Sequence, residues 1–245
     1  MSDVFVIAAR RTAVAPRDGS FKQIGAADLG AAVIKAVLEK LDLSGVHIDE
    51  VIFGNALYGG GNPARVAALA AGLPEAVPAF TIDTQCCSGL DAILLGASRI
   101  RAGEAHVVVA GGLESYSRSP LRFCRPLSAS DRAQPYERPP FTPWPDRDPD
   151  LIESAAALAQ SMGVARAAQE AFAVASHAKA LAGNFDDELV RVAGLARDAF
   201  ARSLNARICS RLPVLSGDQA HGLTAATIAV QADAAAAVVL VSSQI

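Results

Sequence analysis

The chain has few aromatic residues, few cysteines and no excess of positive charge. Among 245 residues there are nine Phe, three Tyr and one Trp, so aromatics make up 5%, although 51% of the residues are hydrophobic. The apolar content therefore comes mostly from alanine, valine and leucine, which suits helices packed closely on a sheet. A net charge of −3 leaves no basic footprint for nucleic acid and no positive block for a membrane surface. No uninterrupted apolar run reaches the ~18 residues that a membrane span needs, and Met1-Ser2-Asp3-Val4 has none of the charged and apolar regions of a signal peptide. Four cysteines, two of them adjacent, make no disulfide framework, and none has the spacing of a metal site. Together these absences point to a soluble, cytoplasmic protein, with neither nucleic acid nor membrane as a partner and with no metal.

What the chain does have is alternation. Val4 to Ala8 is a short apolar run fit for a central strand, and Ala26 to Leu41 has apolar residues at helical spacing with Asp28 near its start. Glu50 to Gly54 reads as a second strand. Asn62-Pro63 opens a helix through Ala71, with Pro63 suited to a first helical position and Gly72 to the stop. Ala79 to Ile82 is a third strand, Ser88 to Ala102 a strongly apolar helix, and His106 to Gly111 a fourth strand. Asp233 to Ser242 reads as a fifth, although its alanine half also suits a helix. Alternation of this kind implies an α/β fold with helices on both faces of a largely parallel sheet, and ligands gather at the carboxyl ends of such strands.

The composition changes after Ser119. Eight prolines fall between Pro120 and Pro149, which marks an irregular excursion. Helical spacing returns over Leu151 to Met162 and Ala165 to Leu181, Phe185 to Val192 reads as a short extended piece, and Ala193 to Arg211 is ambiguous.

The most informative segment is Asp83-Thr84-Gln85-Cys86-Cys87-Ser88-Gly89-Leu90, at the junction of the third strand and the apolar helix. A thiol there lies near the unpaired N–H groups and the positive dipole end of the helix, which favours the nucleophilic thiolate. Ser88-Gly89 lets the backbone approach whatever the sulfur attacks, and the turn suits acyl transfer through a thioester. A cysteine serving only as a small packing residue is the competing reading. A redox pair of Cys86 with Cys87 is discounted, because adjacent residues make strained disulfides. The glycine-rich Tyr58 to Asn62 has no Gly-Lys-Ser/Thr ending, so it reads as a loop of close backbone approach to a dimer mate rather than as a phosphate loop.

Five segments, in order, resemble the N-terminal half of a thiolase: Arg10-Arg11-Thr12; Gly61-Asn62-Pro63-Ala64-Arg65; Gln85 to Leu90; Gly111-Gly112-Leu113-Glu114-Ser115-Tyr116-Ser117; and Gln169 to Ala173 with Ser176-His177. The resemblance implies a five-stranded mixed sheet with helices on both faces. It divides the chain into a core of residues 1–117 and 226–245 and an inserted loop domain of residues 118–225 that covers CoA. By the same resemblance Cys86 is the residue acylated by acyl-CoA, its backbone N–H serves an oxyanion hole, and the reaction is Claisen condensation or thiolysis of a 3-ketoacyl-CoA. CoA and acyl-CoA enter as substrates rather than as a tightly bound cofactor.

Two departures from the family pattern shape the expectation. The second thiolase half, which brings a histidine and a second cysteine, has no counterpart after Ser242. The reading therefore asks for a homo-oligomer or a complementary C-terminal half to complete the site. None of His47, His106, His177 and His221 is placed to substitute as the base, and Cys124 and Cys209 fall outside the core sheet. Around Thr224 to Ala234, Ala226, Thr227 and Ala229 stand where the family has glycine, asparagine and serine, which weakens the hold on CoA, and Arg211 reads as a solvated side chain. A degenerate or truncated thiolase-like subunit and a 3-ketoacyl synthase-like enzyme are the alternatives, and the Asn-Pro-Ala-Arg and Gly-Gly-Leu-Glu-Ser segments argue against the synthase.

Overall fold

The computed structural model describes residues 3–40 and 47–245, so the expected end of the first helix at Leu41 lies outside the described residues. In chain order the elements are β1 (Val4–Thr12), β2 (Ala15–Pro16), α1 (Ala26–Lys40), β3 (Glu50–Gly54), α2 (Pro63–Ala70), β4 (Ala79–Ile82), a 3₁₀ turn (Gln85–Cys87), α3 (Ser88–Arg101), β5 (Val107–Glu114), β6 (Arg122–Cys124), β7 (Gln134–Tyr136), a 3₁₀ turn (Pro145–Arg147), α4 (Leu151–Ser161), α5 (Arg166–Ala182), β8 (Leu189–Val190), α6 (Ala206–Cys209) and β9 (Ala232–Ser242). No helix among the described residues is long and apolar enough to cross a membrane.

The chain forms two compact units. One comprises Met1–Pro120, Phe185–Phe200 and Gln231–Ile245, and the other Leu121–Asn184 with Ala201–Val230. The first unit holds a mixed sheet in the order β4-β3-β5-β9-β1-β8, with β2 pairing β9. β3 runs parallel to both β4 and β5, while β9 runs antiparallel to β5 and β1. The five long strands are those legible in the sequence. The sheet counts seven because the two-residue strands β2 and β8 add to them, and nothing as short as Ala15-Pro16 carries a periodic signal. Its alanine half notwithstanding, the last segment is strand throughout, because β9 finds partners on both sides along almost its whole length.

Side chains alternate across the sheet as strand geometry requires. Val51, Phe53, Val107 and Val109 point to the face covered by Leu29, Val33, Ile34 and Val37 of α1 and by Ala64, Ala67 and Ala68 of α2. Ile52, Val108, Ala110 and Leu240 point to the other face, against Ala92, Ala97 and Ile100 of α3. Burying a side chain such as Phe53 or Ile52 contributes about 1.5–3 kcal/mol. Small residues bring α3 close to the sheet: a Cβ on Gly96 would stand 3.0 Å from both Leu240 and Val108.

One sequence expectation changes in this unit. Val4 to Ala8 reads as a central strand, but this part of β1 pairs only with β9, since β8 reaches only Arg11 and Thr12. Phe5, Val6 and Ile7 are accordingly exposed, and the register shifts between Val6 and Ala8. The helix α3 buries one stripe and leaves Leu90 and Leu94 exposed by 61% and 54%.

α2 begins where the sequence places it. Asn62 Oδ1 accepts from Arg65 N at 3.2 Å and from Thr81 Oγ1 at 2.8 Å, while its Nδ2 donates to Ala79 O at 2.8 Å, so the cap also fastens the helix to β4. Gly60 and Gly61, with φ of 97° and 82°, make the turn before it in a conformation that side chains rarely adopt. In the second unit β6 and β7 form a hairpin within the proline-rich excursion. Arg166 anchors the start of α5 there, through Glu170 and through the carbonyls of Cys209 and Leu212.

Candidate active site

Because β3, β4 and β5 are parallel, their carboxyl ends share one edge of the sheet, and the chain leaves β4 there to make the cysteine turn. Asp83 Oδ1 accepts from Gln85 N at 2.8 Å. Gln85 has φ of +59°, in the left-handed region that non-glycine residues seldom occupy. Backbone strain of this kind concentrates at functional sites. Ser88 closes the turn from the other side, since its Oγ accepts from Thr84 N at 2.8 Å and donates to Gln85 O at 2.6 Å. Thr84 Oγ1 in turn donates to Asp91 Oδ2 at 2.5 Å.

Within this frame Cys86 lies on the 3₁₀ turn that runs directly into α3. Both Cys86 and Cys87 are free thiols and exposed, while Ser88 is buried. Cys86 is thus not enclosed among the described residues, as a packing cysteine would be. Cys124 is exposed on β6, and Cys209 is fully buried in the second unit. The open depression lined by Cys124, Arg125, Leu127, Arg132 and Gln134 belongs to that second unit and does not involve Cys86.

The floor of the turn is made of glycines. A Cβ on Gly54, the last residue of β3, would lie 2.4 Å from Ser88 C and 2.6 Å from Gly89 N. One on Gly112 in β5 would lie 3.3 Å from the Gly89 Cα. The amino end of α3 thus rests on the backbone of two adjacent strands.

Beside it stands a network that the motif reading quotes without assigning a role. Glu114, at the end of β5, accepts from Asn55 Nδ2 (2.8 Å), Ala56 N (3.0 Å), Leu57 N (3.2 Å) and Ser115 N (3.2 Å). Burial pushes its carboxyl above the usual glutamate value, against the pull of those donors. A carboxylate two residues after Gly111-Gly112, at a strand end, was the available signal. Its partners, some sixty residues earlier, were not readable from it.

Of the four histidines, two share Asp49, whose Oδ1 faces His47 Nε2 and whose Oδ2 accepts from His106 N. His47 and His106 lie near the amino ends of β3 and β5, with His47 Nε2 3.6 Å from Asp49 and His106 Nδ1 3.2 Å from Ser242 Oγ. His177 accepts from Arg202 N at 3.3 Å, and burial with the nearby Arg202 charge lowers its pKa. His221 lies beside Asp218. In the segment before β9, Thr224 is buried and the chain turns back on it: its N donates to Thr227 Oγ1, and its carbonyl accepts from Thr227 N. Arg211 is exposed.

A family profile described as thiolase, N-terminal domain, matches residues 4–244. The chain belongs to the thiolase family. Among curated relatives it is similar to an acetyl-CoA acetyltransferase of Cupriavidus necator, at 39% identity over 99% of this chain and 67% of the relative. It is also similar to an acetyl-CoA acetyltransferase of Pseudomonas aeruginosa, at 41% identity over 78% of this chain and 51% of the relative. The chain thus spans about two thirds of the length of the first and half that of the second. Its mixed α/β sheet, with helices on both faces, is the thiolase N-terminal architecture that the sequence motifs implied.

Proposed function

We propose that the protein is a thiolase-type acyltransferase in which Cys86 takes up an acyl group from acyl-CoA as a thioester. The Cys86 sulfur attacks the thioester carbonyl carbon, the new carbon–sulfur bond forms, and the bond to the CoA sulfur breaks. CoA leaves as its thiol, with the proton given up by Cys86. Condensation with a second acyl-CoA, or thiolysis in the reverse sense, completes the family reaction.

The observation that carries this reading is the exposed thiol of Cys86 on a strained, serine-closed turn at the amino end of a 14-residue helix. The names of the similar proteins agree with it. Acyl-CoA is a substrate in this reading. A second copy of the chain or a complementary thiolase half covers the exposed Phe5, Val6, Leu90 and Leu94, whose apolar surface costs about 25 cal/mol per Å2 while it remains in water.

Incubation with acetyl-CoA followed by intact mass measurement tests the proposal. An acetyl adduct that maps to Cys86 and is absent from Cys86→Ser is the expected result. No adduct, whether the chain is alone, concentrated or mixed with a thiolase C-terminal half, overturns it.

A further inference from the structure

The Gly-Gly-Leu-Glu segment contains a charged group that the proposed chemistry leaves unused. Glu114 ends β5 at the same sheet edge from which the cysteine turn departs, and its carboxylate collects four donors, three of them from residues 55–57. Those residues directly follow β3. Asn55 is 3% exposed and joins three strands: its N donates to Ile82 O of β4 at 3.1 Å, and its Nδ2 reaches both Leu113 O and Glu114 Oε1 at 2.8 Å. The residue before it, Gly54, is the one against which the Ser88–Gly89 backbone is pressed. Ser88 then holds Thr84 and Gln85 on either side of the thiol-bearing turn.

A continuous series of contacts therefore runs from Glu114 through Asn55 and Gly54 to Ser88 and the Cys86 turn. We infer that Glu114 is a positioning residue for Cys86, fixing the end of β3 as the wall on which the nucleophile turn is set. Four donors around one carboxylate hold a loop far more firmly than neutral contacts do, because hydrogen bonds to a charged group are about twice as strong. Glu114 is half-buried, and the donors oppose the rise that desolvation imposes on its carboxyl. The inference rests on the proposed role of Cys86, but its test does not depend on acyl transfer.

The test compares the alkylation rates of Cys86 and Cys124 by iodoacetamide, read by peptide mass spectrometry in a Cys87→Ala background. Cys124 is exposed in the other unit and serves as the internal standard. Glu114→Gln keeps the shape but turns a donor toward the amides of Ala56 and Leu57, and at a temperature where it remains folded the Cys86 to Cys124 ratio is expected to fall at least threefold. Glu114→Asp keeps the charge and is expected to recover part of that loss. A purely structural brace lowers the melting temperature but leaves the ratio of the folded protein unaltered. A fall of less than threefold, or a rise, overturns the inference. If Glu114→Gln does not fold, Asn55→Ala carries the same test with the same threshold. Acetyl-CoA labelling of the parent separates the two claims. A falling ratio without an acetyl adduct removes the acyl-transfer reading and leaves the positioning role, whereas an adduct with an unaltered ratio removes only the positioning role.

Discussion

Gly54 and Ser88 meet backbone to backbone: a single methyl on Gly54 would stand 2.4 Å from the Ser88 carbonyl carbon. No side-chain rotation relieves such a contact. Gly54→Ala must therefore push α3 off the sheet edge, at a cost of about 3 kcal/mol, the upper end for overpacking. Chemical denaturation measures that loss, and the same variant is expected to acylate at Cys86 at least tenfold more slowly. A variant with parental stability would show that the turn yields freely.

Cys87 is exposed and next to Cys86, but no hydrogen bond of the turn depends on its side chain. Cys87→Ala should change stability by no more than about 0.5 kcal/mol, the usual range for a surface substitution. The acetyl adduct should persist in this variant, whereas Cys86→Ser abolishes it. Loss of the adduct in the Cys87 variant instead would move the nucleophile one residue along.

Arg11 and Asp198 tie the returning segment Phe185–Phe200 to β1. The guanidinium contacts Asp198 Oδ1 at 2.8 Å and Oδ2 at 3.1 Å, Val14 N donates to Oδ1, and Glu188 takes the Arg11 Nε at 2.8 Å. Burial alone pushes the Asp198 carboxyl up, but the Arg11 and Val14 hydrogen bonds and the Arg11 charge outweigh it and hold the group below its ordinary 3.8. A depressed folded value means that this contribution is present above pH ~4 and is lost as the pH falls through the folded value. Asp198→Asn should lower stability by about 2 kcal/mol at pH 7. The deficit should shrink when the melts are repeated well below pH 3.

Glu50 behaves in the opposite sense. It is 6% exposed, and Arg99 Nε lies 2.6 Å from its Oε2, with the N–H misaligned for a hydrogen bond. Burial raises its carboxyl above the ordinary 4.5 despite the Arg99 charge. A raised folded value gives stability that is complete below the unfolded value and is lost as the pH rises through the folded one. Relative to the parent, Glu50→Gln should therefore gain stability between pH 4 and pH 7. A difference that does not change with pH would contradict this.

Arg166 should matter most within the second unit. Its side chain and that of Glu170 are only 15% and 11% exposed, and it also holds two backbone carbonyls. Arg166→Ala strands a buried carboxylate and should cost about 3 kcal/mol. Limited proteolysis should then cut first within Leu121–Asn184 or Ala201–Val230.

The five long strands, α2 with its Asn62 cap and Pro63 start, and the cysteine turn were all legible because each is specified by residues within one turn or one strand of each other. The edge position of Val4–Ala8 was not, because an apolar run reads alike whether one neighbour flanks it or two. Nor was the attachment of Phe185–Phe200 to β1, which depends on an Arg11–Asp198 pair 187 residues apart in sequence.

By itself the sequence determined the order of elements, the thiolase motifs and the placing of a thiol where a strand passes into a helix, since local periodicity, caps and turn residues act over short spans of chain. Only the tertiary structure decided that β9 inserts antiparallel between β5 and β1, and that Glu114 gathers the donors of residues 55–57. Those outcomes depend on which distant surfaces meet, and strand register, burial and hydrogen-bond partners are properties of the meeting rather than of any single segment.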